Sequence, residues 1–462
     1  MGGLRSNINA MVMKNNPYPF YFILVSMVCL LLGILCGLLV GFQYIIPEFL
    51  KSILPFSALR PLHTLFVVSW IILSATGGIY YYLNFNFPET KINSKLIPVH
   101  FWLFIITGIG ILFSYLSGQF GGKEYIEFPA YYYFPILLGW IVFGLAYYKT
   151  TWSAFKTWPV YYWMWGTGIV FMMYHFTEAH LWLLPYFRSH FIQNTAMQWK
   201  AGGSYVGSWN MLVYGTSLYV ISSISTTCKY TTSKKAYFFY FLGLINLMFG
   251  WAHHIYIIPT APWIRYVAYV ISMTEWIILF SILYDWKKNL PEATIARYSL
   301  AYRFMKLANF WVFLNIVLAL LISIPSVNLF SHGTHLTVAH SMGTTIGINT
   351  LILLSSVAYI LESTSFIPFA SAQRIQWSLR FFNRSFIGFW VILVMMGVNK
   401  GYWMYLGQQI SFGEFQDSQQ YIYMLFLFFG IGMAVGLSLL VFEMLKNLKN
   451  QLNLNHTNKS SE

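Results

Sequence analysis

The strongest constraint on this chain is a succession of apolar runs, each about 20 residues or longer, joined by short polar connections. A hydrocarbon core about 30 Å thick is crossed by roughly 20 residues of helix. In lipid only helices and closed barrels satisfy every backbone polar group internally. Twelve runs are expected to span: 19–46, 60–84, 96–116, 129–148, 159–180, 203–226, 236–258, 264–285, 301–325, 333–361, 383–408 and 419–445. A soluble reading fails on composition, because 58% of residues are hydrophobic and only 9% charged, with a mean hydropathy of +0.59. The expected fold is an all-α polytopic membrane bundle solvated by lipid. A cytoplasmic segment covers 1–18, the transmembrane domain 19–446 and a polar cytoplasmic tail 447–462.

Lysines and arginines cluster in alternate connections: Arg5 and Lys14, Lys91 and Lys95, Lys149 and Lys156, Lys229 with Lys234 and Lys235, Lys287 and Lys288, Arg374 and Arg380, Lys446 and Lys449. The positive-inside rule puts both termini in the cytoplasm, in a membrane of the bacterial cytoplasmic type. The net charge of +14 is thus distributed over short loops, which excludes a nucleic-acid surface. Cys29, Cys36 and Cys228 form no heme-attachment sequence, so a covalent heme is excluded. The first apolar run is too long for a cleavable signal and reads as a spanning helix.

Several polar residues interrupt these runs, and each such intrusion asks for a partner. His332, His335, His340 and Met342 enter the tenth run. His340 and Met342 are two positions apart, so on a helix they point roughly 200° from each other. Such a segment suits a heme on each side; a satisfied core histidine beside a packing methionine is the plain alternative. His63 sits one turn inside the second run with Arg60 above it, an arrangement suited to an iron-bound imidazole with the guanidinium at a heme propionate. Glu124 and Glu127 share one loop, where a bridging calcium or a solvated loop are both consistent. His175, Glu178 and His180 read as a proton path or a fixed polar patch. Asn210 and Tyr214 lie one turn apart on one face. The adjacent pair His253-His254 suits a non-heme metal, and Glu275 in the next run reads as a proton carrier or a cation ligand.

In this order, helix by helix, these residues resemble the large subunit of cytochrome c-dependent nitric oxide reductase, in the heme-copper oxidase superfamily. The likeness covers nearly the whole chain, from Gly41-Phe42-Gln43-Tyr44 through Arg60 to His63, Gly122 to Pro129, His253-His254 and Glu275, to His332-Gly333-Thr334 and Ala339-His340. It implies a heme-copper oxidase subunit I-like bundle with two hemes b. His63 then resembles an axial ligand of the low-spin heme, His340 the proximal ligand of the high-spin heme, and His253 and His254 two ligands of a non-heme metal. Glu275 resembles the buried glutamate beside that metal, Glu124 an acid that helps bind calcium, and His332 a neighbour of the propionates.

Two departures stand out. Met342 replaces the second histidine of the family's tenth-helix motif, which implies a histidine–methionine low-spin heme of raised potential. Asn210 takes the place of a third metal histidine, and an amide oxygen shifts preference from copper toward iron and weakens affinity. Tyr214 stands where nitric oxide reductases carry a glutamate. The expected function is a respiratory membrane oxidoreductase reducing nitric oxide to nitrous oxide, fed by a separate small subunit that carries cytochrome c. The alternatives are a nitric oxide dismutase-like enzyme, a terminal dioxygen reductase and a non-catalytic gas-binding heme protein.

Overall fold

A computed structural model describes residues 16–88, 95–225, 229–251, 260–364 and 367–457. Its long helices are α1 (Tyr18–Ile45), α2 (Phe56–Asn86), α3 (Leu96–Leu116), α4 (Tyr133–Thr151), α5 (Val160–Glu178), α6 (Phe191–Ser225), α7 (Lys234–Phe249), α8 (Pro262–Lys288) and α9 (Ser299–Ile322). A continuous rod follows: α10 (His335–Met342), a π-helix (Gly343–Thr350) and α11 (Leu351–Thr364), then α12 (Phe369–Tyr405) and α13 (Gln420–Thr457). No strand occurs among the described residues.

Nine helices among the described residues are long and apolar enough to cross a membrane. The three other expected spans are helical as α5, α6 and α7 but fall outside those nine. Two of them carry conspicuous polar residues: α5 holds His175 and Glu178, and α6 holds Lys200, Ser204, Ser208, Asn210 and Ser217. These polar residues lower the hydropathy of the runs that hold them.

α1 packs along α2 through Gly33 and Gly37, four residues apart on one face. Small residues at this spacing let two helix backbones approach closely. A Cβ at Gly33 would lie 3.2 Å from the Val67 side chain, and one at Gly37 2.9 Å from the His63 ring. α2 and the rod run side by side in one direction. Trp70 Nε1 donates to Thr350 Oγ1 at 3.0 Å, and the Tyr82 and Ser356 hydroxyls meet at 2.6 Å. Every residue from Trp70 to Leu83 and from Gly347 to Leu361 is buried.

Candidate functional site

The turn that launches the rod explains the His332-Gly333-Thr334 sequence. Gly333 has φ +71°, a left-handed conformation that suits glycine. Thr334 then caps α10, its hydroxyl accepting from the Leu336 N–H at 3.2 Å. His332 comes beside Trp199 of α6, ring centroids 6.0 Å apart. His340 lies just over one turn below the start of α10 and is 8% exposed. Its ring meets the Trp276 indole of α8 at 5.8 Å. Glu275 precedes Trp276 and, about 100° away around α8, turns toward α7 instead.

Glu275, 4% exposed, accepts from the Asn246 amide of α7. A Cβ at Gly243 would stand 3.2 Å from its Oε1 and 2.8 Å from the Met211 methyl of α6. α6, α7 and α8 thus converge on this acid. Tyr214, one turn beyond Asn210 on α6, is 2% exposed, and its hydroxyl has no hydrogen-bond partner among the described residues. Asn210 is joined to the rod: its Oδ1 accepts from Asn349 Nδ2 at 3.0 Å. Asn246, Asn349 and Trp276 escape a sequence reading. Their one signal is polarity within an apolar run, and it does not say toward which partner each is turned.

His253 and His254 lie outside the described residues. Trp251, the last described residue before them, packs on Gly203, where a Cβ would come within 2.9 Å of its Cα. Asn210 stands two turns further along α6, about 10 Å by helical rise. It is therefore not level with Trp251.

His63 fits a heme ligand by its donor chemistry. Its Nδ1 is hydrogen-bonded to the Gly33 carbonyl at 2.8 Å, which fixes the tautomer whose lone pair lies on Nε2. A metal-ligating histidine commonly has its second nitrogen tied to a carbonyl in this way. Met342, the last residue of α10, is half-buried.

Arg60 is engaged by the outer loop. Its Nη1 donates to Glu127 Oε1 at 3.2 Å, its Nη2 pairs with Glu124, and its guanidinium lies 5.9 Å from the Tyr125 ring. Burial pushes the Glu127 carboxyl above its ordinary value, while backbone N–H groups and Arg60 pull it down. Arg60 is itself the cation between the two acids, the place the loop sequence offered to calcium. Among the described residues no cluster of three or more His, Cys, Asp or Glu side chains suits a metal ion. These residues do not fit calcium. His175, Glu178 and Lys200 join α5 to α6, with His175 Nδ1 3.0 Å from Glu178 Oε2 and Lys200 on the same oxygen.

Comparison with known proteins agrees with this architecture. Residues 19–435 match the family described as cytochrome C and quinol oxidase polypeptide I. The chain is 23% identical over 439 residues to a nitric oxide reductase subunit of Stutzerimonas stutzeri, covering 87% of this chain and 89% of that protein. A heme-copper terminal oxidase dimer solved by cryo-EM shares the fold at TM-score 0.62 and 14% identity, covering 93% of this chain and 84% of that one. The chain belongs to the cytochrome c and quinol oxidase polypeptide I family and is a multi-pass membrane oxidoreductase of the heme-copper oxidase superfamily.

Proposed function

We propose that this protein reduces nitric oxide: two molecules, two electrons and two protons give nitrous oxide and water. The observation that carries the reading is the Trp276–His340 contact between α8 and α10, together with the buried Glu275 on α8, held by Asn246. The likeness to a nitric oxide reductase subunit over most of both chains supports it.

In this reading His340 holds the high-spin heme b, and His63 with Met342 the low-spin one. His253 and His254 hold a non-heme ion, taken as iron, for which Glu275 is a further oxygen ligand and Asn210 a weak one. A heme iron and a second ion bound by these residues would supply the positive charge that aligns two electron-rich gas molecules and offsets the charge that develops as they join. Glu275 is placed to hold a proton: it is buried, and Asn246 orients one carboxyl oxygen and leaves the other, beside Gly243, to exchange. Tyr214 brings a hydroxyl near the same acid where the family carries a glutamate. Asn349 holds the Asn210 amide in one orientation. The sealed lower half of the bundle excludes water from one side. Arg60, clamping Glu124 and Glu127, and His332 close the upper end over the propionates.

Electrons come from a separate membrane subunit that carries cytochrome c, since no cysteine here forms a covalent heme motif. Both termini face the cytoplasm in a cytoplasmic membrane, by the distribution of lysine and arginine. The test is an anaerobic assay with nitric oxide and a chemical reductant. Nitrous oxide at one molecule per two nitric oxides supports the reading. Dioxygen release, or no product from a heme-replete preparation, overturns it.

A further inference from the structure

The rod does not continue as an α-helix below His340. It switches to a π-helix at Gly343, immediately after Met342. π-helical turns are rare and collect at functional sites. Changing from i→i+4 to i→i+5 bonding disturbs the carbonyls at the boundary, so those groups look for other donors.

The His340 carbonyl finds them. Besides the Gly343 N–H, it accepts from Thr344 Oγ1 at 3.1 Å and from Asn315 Nδ2 of α9 at 3.1 Å. The same Asn315 nitrogen donates to Thr344 Oγ1 at 2.8 Å. Asn315 is fully buried, and its Oδ1 has no hydrogen-bond partner among the described residues. Leaving that oxygen unsatisfied is costly, and an isosteric leucine would avoid the cost. Flipping the amide would set oxygen against the carbonyl of residue 340, so the orientation is dictated by that contact. α9 is pressed onto the π-helix here: one turn before Asn315, the Trp311 ring lies 2.7 Å from where a Cβ on Gly347 would stand. The far end of the π-helix is fastened by Trp70 on Thr350 and by Asn349 on Asn210, each at 3.0 Å.

We propose that Asn315 is a positioning residue for His340: by donating to the residue-340 carbonyl where α-helix becomes π-helix, it sets the register that aims the imidazole. The inference rests on the reading of His340 as a heme ligand. Its test is resonance Raman spectroscopy of the ferrous holoprotein, following the iron–imidazole stretching band. Asn315→Leu should shift that band, and Thr344→Val should shift it in the same direction by less. The low-spin heme bands should stay in place in both. An unmoved band in either folded variant overturns the proposal, as does a common shift of both hemes, which would report general loosening. If Asn315→Leu does not fold, Thr344→Val decides. His340→Ala separates the two assignments: a band that survives it means that the ligand assignment itself has failed, whereas a band lost there but unmoved in the other variants means that only the role of Asn315 has.

Discussion

The upper and lower halves of the same two helices are built differently. On α2, His63 to Ser69 are all half-buried, whereas Trp70 to Leu83 are buried on every side. On the rod, Ser341 is exposed and Met342, Thr345 and Ile346 half-buried, whereas Gly347 to Leu361 are buried without a break. The change falls at one depth on both, because Trp70 and Thr350 are hydrogen-bonded neighbours. Below it, aromatic packing fills the space: Tyr82 stacks on Tyr219 at 3.9 Å and on Trp165 at 6.1 Å. Above it lie His63 and Met342, both half-buried, and His340, which is buried. Packing by protein side chains is thus most continuous in the lower half.

Breaking the upper half should cost cofactor, and breaking the lower half should cost stability. The largest effect is expected from His340→Ala, which should remove one of the two hemes, read as a halved heme-to-protein ratio by pyridine hemochrome assay. Retention of both would sever the upper half from heme binding. Met342→His should leave the heme count alone and lower the low-spin potential, since imidazole replaces thioether; a redox titration identical to the parent's would remove Met342 from the iron. In the lower half, a methyl on Gly77 would come 2.8 Å from the Pro19 carbonyl oxygen. Gly77→Ala should therefore destabilise by about 1–3 kcal/mol, lowering the thermal midpoint in detergent with the heme spectrum unchanged. Thr350→Val, losing the Trp70 bond at the boundary, should cost about 1 kcal/mol or less.

The smallest expected effect lies at the upper rim. The raised pKa of Glu127 means that its protonated form favours the fold. Its contribution is complete at pH below the ordinary carboxylate range and is lost as pH rises through the folded value. Glu127→Gln should flatten that limb of the stability–pH curve. Because Arg60 already bridges the two acids, calcium chelators should leave the heme spectra and the thermal midpoint unchanged.

Much of the bundle is legible in the sequence because lipid leaves so few choices: apolar runs become helices, and glycine with threonine at Gly333-Thr334 marks where the rod begins. The ligand-type residues are legible for the same reason, since His63, His340 and Glu275 are conspicuous among leucines and phenylalanines. Their partners are not. Asn315, Asn349 and Asn246 look like incidental polar residues until tertiary register turns each toward a carbonyl, an amide or a carboxylate. The π-helix leaves no mark in composition; its partners, Trp311 and Asn315 on α9 and Trp70 on α2, lie far away in the chain. Arg60 pairs with Glu124 and Glu127 across 64 and 67 residues of chain, a pairing that local sequence reads as a propionate contact and a calcium loop.

The central proposal is that His63, His340 and the His253-His254 pair hold two hemes and one further ion. Quantifying heme b and total metal in the purified holoprotein tests it most directly. The account predicts two hemes b and one non-heme iron per chain. A preparation that is folded and monodisperse yet holds a single heme and no additional metal would contradict it.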